Sequence, residues 1–346
     1  MDRPNAYQVS DDLFPKSRIR PYAPDGGLHA EGLALTAAAG AATGIAAGLV
    51  FAIVGMWFYA IIIFPLAIGV AIGTVQSFVI KKTKVRNTLA CGAIGLLAGL
   101  LAVVTMHYVD YETFKYDLAR ADAEMDDLRQ EVSQGLFTQA EFDQAMREFK
   151  QDPEIQAMRA VQSFPQYIDW SANQGVELTS SKSSKPVNLG YAGTYAYWAL
   201  DALLIAVMVV VMTRSQAAEP FCAECDRWKD AVEMGRLPLQ AKQVATAIGG
   251  GSFTTLASLT PKPSHLTAIK AYVCGNCQTT DQVVVEVNEV TYPKGQETLA
   301  NVGRFVCDES VIDELTKFFD APATATPAAE DAQQSLAASP NTYRNC

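Results

Sequence analysis

The sequence predicts a mainly α membrane protein, a four-helix transmembrane bundle joined to a smaller α+β module. Three observations lead there. Positions 33–109 carry no charge outside Lys81, Lys82, Lys84 and Arg86, and positions 191–213 carry only Asp201. The rest of the 346 residues is polar and acidic, which accounts for a formal net charge of −10. Two Cys-x-x-Cys pairs stand among Val-rich runs after the last apolar stretch. A soluble enzyme of this length would spread its Leu, Ile and Val through the chain; this one segregates them, as a bilayer protein does.

The run from Leu33 to Ile80 would be roughly 72 Å long as one helix, over twice the ~30 Å of a hydrocarbon core, so it must reverse. Gly55 followed by Trp57, Phe58 and Tyr59 marks the turn, because glycine permits it and aromatic rings favour the interface. Spans are predicted at about 33–54, 57–80 and 88–108, and a fourth at 191–213 with Tyr191, Tyr195, Tyr197 and Trp198 on its entry side. Short basic loops stay in the cytoplasm. The loop at 81–86, with Lys16, Arg18, Arg20 and Arg214, therefore places both termini inside and 110–190 outside. The polar leader 1–32 has no cleavage site and is expected to stay attached. Glycines four apart (Gly40, Gly44, Gly48; Gly69, Gly73; Gly95, Gly99) predict close helix packing, within the bundle or between subunits. Inside the apolar spans, Asp201 and His107 lie towards the same side and are candidates for an intramembrane polar pair.

Residues 110–190 hold 15 Asp and Glu against 8 Lys and Arg. Phe114, Leu118, Met125, Leu128 and Val132 recur at helical spacing, Gly135 ends the run, and Thr138 with Glu141 forms a capping box for the next helix. Asp152-Pro153 opens another, and Thr179–Pro186 reads as a linker. The stretch Leu128–Phe142, Leu-Arg-Gln-Glu-Val-Ser-Gln-Gly-Leu-Phe-Thr-Gln-Ala-Glu-Phe, resembles the helical hairpin of the SHOCT family. That resemblance implies an external packing or oligomerisation element.

Cys222-x-x-Cys225 and Cys274-x-x-Cys277 carry the strongest chemical signal. Each pair sets two thiolates on one tight turn, and two such turns facing each other form a tetrahedral cage. Structural zinc, one per chain, is the leading reading because four Cys leave no position open for water; a rubredoxin-like iron site and a pair of redox dithiols are the alternatives. Cys91, Cys307 and Cys346 have no such spacing and are read as non-ligands. Between the pairs a helix is predicted from Trp228 to about Ile248, as an insertion; strands are predicted at Ala268–Val273, Val283–Val290 and Val302–Cys307. The module, 214–320, thus looks like a zinc ribbon, and 321–346, rich in Ala, Pro, Thr and Ser, reads as a disordered tail. The segment Pro220-Phe221-Cys222-Ala223-Glu224-Cys225-Asp226-Arg227-Trp228 after a Tyr/Trp-opened span resembles a group of uncharacterised bacterial multi-spanning membrane proteins with a C-terminal four-cysteine module.

No phosphate loop occurs, since Gly249–Gly251 lacks the lysine, and His29, His107 and His265 stand in three separate regions. The acidity around the module argues against nucleic acid. The sequence therefore points to a non-enzymatic membrane protein in contact with the bilayer and with a protein partner or copies of itself, and the resemblance to the bacterial group implies the bacterial inner membrane. A small transporter or channel component is the second reading and a membrane thiol-disulfide oxidoreductase the third.

Overall fold

The structure is a computed structural model that describes residues 19–55, 62–136, 138–180, 183–251, 253–262, 264–277 and 283–320. The turn at Trp57–Tyr59, the leader cations Lys16 and Arg18, and the tail with Cys346 lie outside these. The chain divides into two compact units: Pro24–Glu219, and Met1–Ala23 together with Pro220–Cys346.

The first unit is helical apart from one small hairpin. It comprises α1 (Ala30–Gly55), α2 (Ile63–Thr83), α3 (Thr88–Ser133), α4 (Gln139–Gln151), α5 (Pro153–Arg159), α6 (Phe164–Gln174), the antiparallel hairpin β2 (Glu177–Ser180) and β3 (Ser183–Asn188), and α7 (Gly190–Ala217). Helices α1, α2, α3 and α7 are long and apolar enough to cross a membrane. Phe51, Ile68, Ile72, Ala98, Ala102, Val103, Ile205 and Val209 form their shared core. Their outer faces are apolar too: Leu49, Phe78, Leu97 and Val211 are exposed. Helices apolar all round suit a lipid surrounding.

The glycines set how close these helices come. A Cβ on Gly44 would lie 2.6 Å from the Ala98 carbonyl oxygen, so α1 packs directly on the backbone of α3. Gly69 and Gly99 do the same against Ile205 and Ala206 of α7. The seven repeating glycines are thus occupied by contacts inside one chain.

Two expectations for this unit change. The predicted break near residue 108 is absent: α3 runs 46 residues without interruption. No Gly or Pro stands between Gly99 and Gly135 to stop it, and the charges beginning at Asp110 change the solvent the helix prefers rather than its backbone hydrogen bonding. At ~1.5 Å per residue it is roughly 69 Å long, well over a ~30 Å core. The segment Thr179–Pro186, expected as a linker, is mostly the β2–β3 hairpin.

The predicted helix ends hold. At the end of α3 the Leu136 and Gly135 amides donate to the Glu131 and Val132 carbonyls, and Gly135 has φ +74°, the left-handed closure that glycine permits. Thr138 and Glu141 cap α4 reciprocally, and Asp152 caps α5 with Pro153 at its first position. Phe142 is buried at the turn, with the Arg129 guanidinium over its ring. Tyr111 and Phe114 of α3 pack against Tyr167 and Trp170 of α6.

The second unit holds a five-stranded antiparallel sheet in the order β1-β9-β8-β7-β6. Its elements are β1 (Ile19–Pro21), the short hairpin β4 (Phe221–Cys222) and β5 (Arg227–Trp228), β6 (Asp230–Leu237), α8 (Ala241–Gly249), α9 (Phe253–Ser258), β7 (Leu266–Val273), β8 (Val283–Thr291), β9 (Thr298–Cys307) and α10 (Glu309–Asp320). Val285 and Val287 alternate onto the face where Val244, Ile248, Leu256 and Leu315 cover the sheet. On the opposite face the Glu286 carboxylate, 6% exposed, accepts from Tyr272 Oη at 3.1 Å, from Asn288 Nδ2 at 2.9 Å and from the Arg304 guanidinium. A buried acid so surrounded is fully served.

Two further expectations change here. The helix predicted over 228–248 is strand in its first part: Asp230–Leu237 pairs with β7, and only Ala241–Gly249 is helical. Ala231, Glu233, Met234 and Leu237 favour helix by propensity, but that preference is a few tenths of a kcal/mol per residue and pairing overrides it. The leader 1–32 is not a separate segment either. Ile19–Pro21 forms edge strand β1 on β9, with Ile19 opposite Cys307 and buried in the core, and Ala30–Gly32 already belongs to α1.

Candidate metal centre

The four cysteines predicted as ligands come together. Cys222 ends β4 opposite Arg227 of β5, so Ala223–Asp226 is a tight turn that carries Cys225. Asp226 sits at φ +50°, a left-handed position that Asp accepts better than most residues with a side chain. The second pair follows the last residue of β7. What joins the pairs is strand register: Asp230, five residues after Cys225, is opposite Val273, the residue before Cys274. The 44 residues from Asp230 to Val273 leave along β6, cross through α8 and α9, and return antiparallel along β7. They deliver the second turn beside the first.

All four Sγ atoms lie within 4.8 Å of one another. Cys277 Sγ is 3.3 Å from Cys222 Sγ and 3.0 Å from Cys225 Sγ. A tetrahedral site with ~2.3 Å metal–sulfur bonds needs sulfurs about 3.8 Å apart, inside this range. The donor set therefore fits a four-coordinate thiophilic metal with no place left for water. Cys222 is buried and the other three are half-buried.

The surroundings tune the thiols unequally. Backbone N–H groups of Asn276 and Cys277 hold Cys274 down to about 6, the Asn276 contribution being the larger. Cys277 is pushed up, chiefly by its hydrogen bonds with Cys225 and Cys222. Lys229 lies half-buried beside the cluster; burial lowers its pKa, while Cys222, Cys274 and Cys277 act in the opposite sense. An ammonium there offsets part of the negative charge of a metal held by four thiolates. Glu224 Oε2 stands 3.6 Å from Cys277 Sγ and adds charge of the other sign at the exposed rim. Neither Lys229 nor Glu224 was singled out by sequence reasoning, although both adjoin the first pair.

The remaining cysteines sit elsewhere. Cys91 is buried with Ile80, Val85 and Ala217. Cys307 is buried in the core of the sheet, where burial pushes its thiol up to about 12.

The other candidate site lies within the helical unit, where α3 meets α7. The His107 ring meets Trp198 edge-on, with centroids 4.7 Å apart. Its Nδ1 lies 3.8 Å from a carboxylate oxygen of Asp110, one turn along α3. Asp201, proposed from sequence as the partner, is 4% exposed on the inner face of α7, one turn beyond Trp198.

Protein-family models, curated proteins and solved structures were each compared with the chain, and none matches it.

Proposed function

We propose that this chain is a non-enzymatic protein of the bacterial inner membrane. In this reading its four-cysteine module, ordered by one structural zinc ion, docks a cytoplasmic protein partner or a second copy of the chain. The all-thiolate cluster of Cys222, Cys225, Cys274 and Cys277 carries the reading. Its geometry suits a closed metal site, and a closed site organises a surface rather than performing catalysis. Zinc is favoured over iron by its role in structural sites of four thiolates, and over a dithiol couple because both pairs converge on one centre.

Strand β1 supports the topology. It precedes the four apolar helices and pairs with β9, which follows them, so both ends of the helical stretch return to one domain. An even number of crossings meets that requirement, and the basic residues at 81–86 and Arg214 support a cytoplasmic location for the shared side. Single cysteines introduced at Lys82 and Gln296 should resist an impermeant thiol reagent in intact cells, and one at Gln139 should react. Lys82 and Gln296 labelling from opposite sides would overturn the four-span arrangement.

The function is tested on the whole protein extracted in mild detergent. Elemental analysis should find one zinc per chain, and cross-linking should recover a defined partner or a homo-oligomer that disappears with Cys274→Ser. A metal-free protein cycling between dithiol and disulfide would favour the oxidoreductase reading instead.

A further inference from the structure

The inward stripe of α2 runs Pro65, Ile68, Gly69, Ile72, Gly73, Gln76, Ile80. The spacing is that of a buried helix face, and one member is a carboxamide. Gln76 is 0% exposed, and neither its Nε2 nor its Oε1 has a hydrogen-bond partner among the described residues. The group points at the glycine face of α1: a Cβ on Gly40 would lie 3.0 Å from Gln76 Nε2, beside Ile94 and Ala98 of α3.

An amide enclosed in an apolar bundle with its hydrogen bonds unmade is strongly unfavourable, because neither lipid nor apolar side chains replace the water it has lost. The hydroxyls of Thr36, Thr83 and Thr213 are engaged by their own helices. Thr36 donates to the Gly32 carbonyl, Thr83 to Val79 and Thr213 to Val209. The missing partner must accept from an N–H and donate to a carbonyl oxygen at once. It must be neutral, because an N–H repels a cation and a carbonyl repels an anion. It must also be small enough for helices packed on glycine. Water meets all three conditions.

We propose that Gln76 anchors an internal water site between α1, α2 and α3, at the amide that faces Gly40, Ile94 and Ala98. The site is independent of the metal centre and of the docking reading. Towards the α2–α3 loop the Thr36 and Thr83 hydroxyls, 3.1 Å apart, are further polar groups on the α1–α2 seam. On the other side Ile72, one turn before Gln76, belongs to an apolar core that includes Phe51 and Phe64, whose rings stack at 4.9 Å.

Millisecond X-ray radiolytic labelling of the full-length protein in lipid nanodiscs tests this, because hydroxyl radicals made from bound water mark the side chains around it. Ile94 should be labelled in the native protein, and Gln76→Leu should reduce that labelling several-fold while lipid-facing Leu97 stays constant. Gln76→Met, unbranched and similar in volume, provides the same comparison if the Leu variant does not fold. Ile94 labelled equally in native and variant proteins, unlabelled in both, or falling in step with Leu97 would overturn the site.

Discussion

Cys222→Ser and Cys274→Ser are each expected to release the metal and open the two cysteine turns, while leaving the sheet folded. Structural zinc in small peptides contributes on the order of 10 kcal/mol, so loss of one thiolate removes a term comparable to the stability of a small domain. The sheet has its own support. Its core of Ile269, Val285, Val287, Ile248 and Leu315 contains none of the four ligands. Damage should therefore concentrate where backbone order depends on the cluster. Limited trypsin digestion should cut at Arg227 and Lys229, inside and just after the β4–β5 hairpin, and spare Lys270 and Arg304 in the paired strands. Cys307→Ala is the control. Cys307 is 1% exposed in that core, so the change should cost on the order of 1 kcal/mol and leave zinc content unchanged. Metal lost in Cys307→Ala and kept in Cys222→Ser would refute the ligand assignment.

The second large effect is expected at Gly48. Alanine is the better helix former by about 1 kcal/mol, so propensity alone predicts that Gly48→Ala stabilises α1. Packing predicts the reverse. A Cβ at Gly48 would lie 2.7 Å from Thr105 Cβ and closer still to the Ala102 carbonyl oxygen of α3, which is backbone and cannot swing aside. The helices would have to separate along the seam that Gly44 also lines. Overpacking of this kind costs about 1–3 kcal/mol, and each weak Cα–H···O interaction pulled apart by the separation adds about 0.5–1 kcal/mol. Gly55→Ala, with nothing within 4 Å of the added carbon, is the matched comparison at the end of the same helix. Thermal unfolding in detergent should show Gly48→Ala lower by several degrees and Gly55→Ala unchanged or higher. Equal shifts would mean that α1 does not pack on α3 as described.

The cysteine cluster was legible because Cys-x-x-Cys is local: two thiols on one turn are visible in four letters. The partnership between the two turns was also visible, since two such motifs seldom stand in one module without meeting. The path between them was not. Asp230–Leu237 carries good helix formers, and its strand state depends on β7, some thirty residues later in the chain. The same holds for Ile19–Pro21, whose partner lies almost 290 residues on. Gln76 was overlooked for a related reason: in sequence it is one polar letter in an apolar run, and its enclosure depends on Gly40, Ile94 and Ala98 from two other helices.

By itself the sequence determined the apolar segments, the capped ends of the helices between them, and the two cysteine pairs. Each rests on the hydrophobicity of a continuous stretch or on bonds among neighbouring residues. The tertiary structure alone decided that the leader closes the sheet, that 230–237 is strand, and that the glycine faces are spent within one chain. Those outcomes turn on contacts between residues far apart along the chain, and such contacts outweigh the few tenths of a kcal/mol by which a residue prefers one backbone state to another.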